Sequence, residues 1–277
     1  MSGGSATIER KSTSDGRFGY CEGGDPSSPA IVFIHGIGGR GEVFGPQLEA
    51  FAPAWRVMSW DVPGYGSSEP LSEATLPTLA VALGDFLDAV DAKDAVLVGQ
   101  SLGGMIVQEA LAAGLVAPKA IVLTGTSPAF GRPDGDFQKT FIEGRLAPLD
   151  AGRTMAELAD GMMRGLTGPN PDPAGFAIGR DALAATTEDS FRQMVYALVD
   201  FDQRANLPNI SVPTLLIAGT EDTSAPSKVM SRMADKIPGS TFVEMQGAGH
   251  LANLDQPDAF TEAMRGFLAG LDGAARA

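Results

Sequence analysis

The sequence predicts an α/β fold: a mostly parallel eight-stranded sheet with helices on both faces and a helical insertion after the sixth strand. Three observations predict it. Runs such as Ile31-Val32-Phe33-Ile34 and Thr214-Leu215-Leu216-Ile217 are apolar without alternation, the pattern of strands buried on both faces of a parallel sheet. Segments with helical spacing separate the later strand runs. Strand signals then stop between 126 and 208 while helical patterns continue.

In chain order, short apolar or β-branched runs place strands at 7–12, 17–21, 30–34, 56–60, 95–98, 120–123, 214–218 and 241–245. Leu79, Leu83, Phe86, Leu87 and Val90 recur at the spacing of one helix face, and Met105, Ile106, Glu109 and Ala110 begin another helix that ends near Gly114. The insertion carries helical patterns at 137–146, 155–166, 176–185 and 191–201, the second and third separated by Gly168-Pro169-Asn170-Pro171-Asp172-Pro173. A terminal helix follows at 257–268. The expected organisation is a core domain of 1–125 and 209–277, with 126–208 as a helical insertion sitting on the sheet.

Composition narrows the function. The 277 residues carry 20 Lys and Arg against 34 Asp and Glu, a net charge of −14, which disfavours nucleic acid or an anionic membrane as partner. Cys21, the single cysteine, cannot form an internal disulfide and reads as a buried strand residue. The first thirty residues lack the apolar stretch of a signal peptide, and no run approaches the roughly 20 residues that span a bilayer, so the expected location is cytoplasmic. With two histidines, His35 and His250, and no paired metal-ligand spacing, neither a metal nor an organic cofactor is expected.

The most specific feature is Gly99-Gln100-Ser101-Leu102-Gly103, placed directly after an apolar strand and directly before a helix. In that context G-x-S-x-G is a sharp turn that lifts the serine hydroxyl toward a substrate, with small neighbours where side chains would collide. The turn also leaves the Leu102 N–H free at the helix N-terminus, aimed where an oxyanion would form. A serine needs a neighbouring base to become a nucleophile. His250, in a loop past the last strand, lies at the carboxyl edge of the sheet with Ser101. His35, ending the third strand, is the rival base, although its glycine-rich turn suits an oxyanion loop better.

Asp222, after the seventh strand, is the candidate carboxylate to orient the imidazole, with Glu221 as the near alternative. Candidate substrate-binding residues are Arg40 and Gln100. The insertion adds Arg132, Arg145, Arg153, Arg164, Arg180 and Arg192, any of which could hold a substrate carboxylate. Phe137, Phe141, Met155, Met162, Met163, Phe191, Met194 and Tyr196 are expected mainly as packing between insertion and sheet, with some lining an apolar pocket. Gly36-Ile37-Gly38-Gly39-Arg40-Gly41, with Asp61 at the end of the next strand, is also a formal dinucleotide fingerprint and leaves an NAD(P) oxidoreductase as a rival.

From about 30 to 268 the chain resembles the α/β-hydrolase superfamily: His35-Gly36-Ile37-Gly38 is similar to its oxyanion loop, Asp61 to Ser68 to its next strand-end loop, and 99–103 to its nucleophile turn. The run Gly247-Ala248-Gly249-His250-Leu251-Ala252-Asn253-Leu254-Asp255-Gln256-Pro257 is similar to the 3-oxoadipate enol-lactonase and small carboxylesterase branch. The resemblance implies a serine hydrolase of carboxylic esters or enol-lactones, acting on a small molecule through Ser101, His250 and Asp222 and an acyl-enzyme. It further implies that the Ile37 N–H joins that of Leu102 as oxyanion donor and that 126–208 caps the site. A serine at the turn sets the chain apart from the superfamily's dehalogenases and epoxide hydrolases, which use aspartate there. It leaves open carbon–carbon bond hydrolases of ring-cleavage dienoates and ligand-sensing receptors that keep the same three residues.

Overall fold

The computed structural model describes residues 7–132 and 135–274; the expected ends of the core domain, 1–6 and 275–277, and residues 133–134 of the insertion lie outside them. Among the described residues the strands are β1 (Glu9–Ser12), β2 (Gly19–Gly23), β3 (Ala30–Ile34), β4 (Arg56–Trp60), β5 (Val96–Gln100), β6 (Ala120–Thr124), β7 (Thr214–Gly219) and β8 (Thr241–Met245). The helices are α1 (Gly45–Phe51), α2 (Leu76–Ala89), α3 (Leu102–Ala112), α4 (Asp136–Asp150), α5 (Met155–Leu166), α6 (Pro173–Ala184), α7 (Glu188–Ala197), α8 (Ser227–Ala234), α9 (Ala252–Asp255) and α10 (Pro257–Ala274).

These strands form one sheet in the order β1-β2-β4-β3-β5-β6-β7-β8, antiparallel at the β1–β2 and β2–β4 pairings and parallel elsewhere. Because β3 neighbours both β4 and β5, the chain leaves it in one direction and returns on its other side. Such a reversal opens a crevice at the carboxyl ends of the strands, where loops can converge on a ligand. The loop after β3 and the turn after β5 flank it.

The unalternating strands bury both faces. Val32, Ile34, Leu97, Ile121 and Leu216 pack on one side with Leu79, Leu83, Phe86 and Ile106 from α2 and α3. Ile31, Phe33, Val98, Val122 and Ile217 pack on the other with Leu48 of α1 and Phe260 and Met264 of α10. Burying a Leu, Ile or Phe side chain contributes about 1.5–3 kcal/mol, so these two layers supply the main driving force for the sheet. The helix starts are written locally as well. Thr75 and Thr154 form capping boxes with Thr78 and Glu157, and the Asp172 side chain accepts from the Gly175 N–H at 2.7 Å ahead of Pro173.

The expected helical insertion lies between β6 and β7 and comprises α4 to α7. Its two ends meet at a short antiparallel bridge, Ala129 with Asp202, where the Phe130 N–H donates to the Phe201 carbonyl at 3.0 Å and that of Gln203 to the Pro128 carbonyl at 2.8 Å. That closure explains one difference from the sequence reading. The helix expected at 191–201 stops at Ala197, because 198–201 turns back to reach this neck. The first inserted helix runs to Asp150 rather than 146, and α1 carried no periodic signal in its seven residues. No helix of the described residues is long and apolar enough to cross a membrane. Cys21 is buried in β2, and burial pushes its thiol up to about 11.

Candidate active site

Ser101 occupies the one-residue turn between β5 and α3, with φ 53° and ψ −118°. A side-chain-bearing residue rarely adopts a positive φ, and here the surroundings hold it. The Ser101 N–H donates to the Thr124 carbonyl at 3.0 Å, and the Thr126 hydroxyl donates to the Ser101 carbonyl at 2.8 Å. Gly103 is required by close approach, since a Cβ there would lie 2.1 Å from the Ile34 carbonyl oxygen.

The three sequence-predicted side chains converge. Ser101 Oγ lies 3.0 Å from His250 Nε2, and His250 Nδ1 lies 2.8 Å from Asp222 Oδ2. A neutral imidazole with its proton on Nδ1 satisfies both contacts: Nδ1–H donates to the carboxylate while Nε2 accepts from the serine hydroxyl. Asp222 is buried, which pushes its carboxyl up, but the facing His250 and the N–H groups of Ala225 and Ser224 outweigh this and hold it below the usual value. Both of those N–H groups donate to Asp222 Oδ1, at 2.9 and 2.8 Å. Glu221, its neighbour, is exposed and accepts from the Thr220 hydroxyl at 3.2 Å.

His35 has another place. It is fully buried; its Nδ1 donates to the Gly36 carbonyl at 2.8 Å and its Nε2 accepts from the Val62 N–H at 3.0 Å. Burial lowers its basicity; Nδ1 is used within its own loop, and Nε2 ties that loop to the one after β4. That removes it as the rival base. The glycine run it precedes leads into a 3₁₀ turn at Gly41–Phe44, and Asp61 is already bound by the Gly41 and Ser67 N–H groups and by the Arg10 guanidinium. A dinucleotide ribose would have to displace these contacts, so the oxidoreductase reading loses its acidic residue.

The two candidate substrate-binding residues both have partners within the protein. Arg40 Nε sits 3.3 Å from Glu42 Oε2, and Arg40 is not among the residues lining the cavity over Ser101. Gln100 does line the cavity, but its Oε1 accepts from the Gly36 N–H at 3.0 Å and its Nε2 donates to the His250 carbonyl at 3.3 Å. It braces the β3 loop against the histidine loop. Leu102 begins α3, so its N–H has no acceptor within that helix, and Ile37 follows Gly36 in the braced loop and lines the same cavity.

That cavity, about 100 Å³, lies between the sheet edge and the inserted helices, lined by Ser101 and His250 at one end and by Phe130, Phe141, Leu183 and Phe191 elsewhere. Of the insertion's apolar residues, Met155, Met163, Phe191 and Met194 are buried, whereas Tyr196 faces outward. Sequence reasoning missed Asp255. Its Oδ2 accepts from the Gly249 N–H at 2.6 Å and from the Gly168 N–H at 2.8 Å, joining the histidine loop to the insertion. Burial pushes this carboxyl up despite the two donors. The signal was an acid five residues past His250, directly after Leu254. Among the described residues, no group of three or more His, Cys, Asp or Glu is placed to hold a metal ion.

Comparison with known proteins adds context. A family model described as the alpha/beta hydrolase family matches residues 31–263. The chain is 29% identical over 250 residues to 3-oxoadipate enol-lactonase 1 of Acinetobacter baylyi, covering 88% of this chain and 90% of that one. It is 32% identical over 259 residues to polyketide synthase ThaQ of Burkholderia thailandensis, covering 87% of this chain but spanning only 12% of that protein. The crystal structure of a hydrolase from Pseudomonas aeruginosa PA01 superposes with a TM-score of 0.81 at 29% identity, covering 97% of this chain and 99% of the other.

Proposed function

The chain belongs to the alpha/beta hydrolase family and is a hydrolase, and from that premise we propose that it cleaves a carboxylic ester or lactone through a Ser101-His250-Asp222 triad and an acyl-enzyme. The observation that carries this reading is the 3.0 Å separation between Ser101 Oγ and His250 Nε2, with Asp222 2.8 Å behind the ring. Both distances are within reach of proton transfer and of orientation by a carboxylate.

Ser101 Oγ attacks the substrate carbonyl as His250 Nε2 takes its proton. Asp222 holds the ring in the Nδ1–H tautomer and stabilises the imidazolium that forms. The carbonyl oxygen, now negative, accepts from the Leu102 and Ile37 N–H groups, a helix N-terminus and a braced loop that need no reorganisation as charge develops. Collapse of the tetrahedral species breaks the bond to the alcohol, whose oxygen takes the proton from His250. For a lactone that oxygen stays tethered to the acyl group. Water then repeats the attack with the same proton route and frees Ser101.

The helical cap, 126–208 in this reading, shapes substrate choice, since it supplies half of the residues that line the cavity. Its ester or lactone guest is a small molecule. The test is covalent trapping: a fluorophosphonate should add one adduct at Ser101, located by peptide mass, and none in Ser101→Ala. Labelling at another residue, or none under conditions that label a control esterase, would refute the reading.

A further inference from the structure

Arg145 differs from its neighbours on the insertion. Arg164 pairs with Asp160, Arg180 with Asp181, and Arg192 with Asp150 and Glu188, all near the surface, while the Arg153 guanidinium donates to the Glu157 carbonyl. Arg145, on α4, lines the cavity that also holds Ser101 and His250, and among the described residues no carboxylate pairs with it. Its guanidinium lies 4.9 Å from the centre of the Phe141 ring, one helical turn earlier, and Phe141 is in turn edge-on to Phe130. The cation is therefore held in place by an aromatic wall.

Removing a guanidinium from water without an anion is costly, and cation–π contact repays only part of that cost. Burial accordingly pushes Arg145 below its usual value, with no neighbouring acid to reverse the shift. Arg145 is half-buried, and a charge partly withdrawn from water at the wall of a ligand cavity, with no acid of its own, implies that the ligand brings the partner. The rest of the lining is mostly apolar, with no other lysine or arginine, which fits a monoanionic carboxylate and not a phosphate dianion. Across a protein of net charge −14, such a local cation is also what lets an anion approach.

We propose that Arg145 anchors a free carboxylate on the substrate, so that the preferred ester or lactone is one carrying a second, ionised carboxyl group. This rests on the hydrolase reading above and adds to it a substrate class and a specificity-determining residue. The planar fork of arginine matches a carboxylate with two parallel hydrogen bonds, which lysine cannot reproduce.

The experiment compares mono-p-nitrophenyl succinate with p-nitrophenyl butyrate, an uncharged ester of equal chain length, in the wild type, Arg145→Gln and Arg145→Lys. The quantity read is the ratio of kcat/KM for the anionic over the neutral ester, which is independent of how much enzyme folds. Losing a charged hydrogen-bonded pair should lower that ratio at least about tenfold in Arg145→Gln, mainly through KM, with Arg145→Lys in between. A wild type that treats both esters alike, or a Gln variant that loses both in proportion, overturns the anchor while leaving the hydrolase reading intact. If the wild type turns over neither ester, the hydrolase reading fails and the anchor is judged by binding alone. Calorimetric titration with glutarate should then give saturable binding to the wild type that Arg145→Gln lacks; no binding to the wild type overturns it.

Discussion

The His250 N–H donates to the Leu166 carbonyl at 2.8 Å, so the loop that carries the imidazole is tied to the last residue of α5 rather than to the sheet alone. Asp255 doubles the connection through the Gly168 and Gly249 N–H groups. The histidine loop and the insertion are therefore joined by three hydrogen bonds, and damage to this joint should be felt in the chemistry.

Asp255→Ala would leave both N–H groups buried without an acceptor. Each orphaned donor costs about 1–3 kcal/mol, so the variant should lose at least about 2 kcal/mol of stability and a comparable share of kcat. Asp255→Asn keeps an accepting oxygen and removes a buried charge, and should retain most of both. Chemical denaturation and steady-state rates on the two variants check this; equal behaviour would mean that the carboxylate position does not matter.

His35 provides a pH prediction with a definite sign. Burial lowers its proton affinity below the ordinary value of about 6.5, so the unfolded chain binds the proton more tightly than the folded one. Stability is therefore retained above about 6.5 and falls as pH drops below it, by up to about 1.4 kcal/mol per pH unit until the folded site itself protonates. The physical cause is explicit: a proton on Nε2 would face the Val62 N–H. Removing the imidazole in His35→Gln should flatten this part of the profile between pH 6.5 and 5, measured as the midpoint of urea unfolding. A slope unchanged from wild type would assign the effect to other groups.

Asp222 behaves oppositely. Burial raises its carboxyl, but His250 and the Ala225 and Ser224 N–H groups outweigh burial and leave it below the ordinary value of about 3.8. Its contribution to stability is thus complete above about 3.8 and is lost as pH falls through the lower folded value. The stability gap between wild type and Asp222→Asn should close as pH falls below about 3.8. At neutral pH the same variant should lose about 10²–10⁴ of kcat through the wrong imidazole tautomer. A gap that widens below about 3.8 would contradict the pairing.

Gly103→Ala tests the turn. Its Cβ would meet the Ile34 carbonyl oxygen at 2.1 Å, a backbone atom of a buried central strand that cannot yield cheaply. The variant should be destabilised by about 1–3 kcal/mol, as in overpacked cores, and lose activity disproportionately because Ser101 shifts. A wild-type melting midpoint would show that the turn has slack.

How much of this was legible in the sequence depends on how local each determinant is. The turn around Ser101 was readable because glycines, strand and helix adjoin in ten residues, and His250 and Asp222 because strand ends share one edge of a parallel sheet. The doubly buried strands announced themselves by apolar runs, and β8 was bounded at its observed ends, Thr241–Met245. The unread parts were long-range. Nothing near Asp255 in sequence reveals that Gly168, 87 positions away, would donate to it. The bracing role of Gln100 was equally hidden, because its partners, Gly36 and His250, lie 64 and 150 residues off. Arg145 was one arginine among several until the packing of Phe141 and the cavity separated it from those with exposed partners.

The central claim is that the Ser101 hydroxyl, sharing a hydrogen bond with His250, performs the acyl transfer. Its most direct test is the hydrolysis rate of p-nitrophenyl butyrate by Ser101→Ala, with circular dichroism confirming the fold. The variant should fall at least about 10³-fold in kcat, since nucleophile, base and acid act as a unit. A folded Ser101→Ala protein keeping more than about a tenth of the wild-type rate would contradict the account.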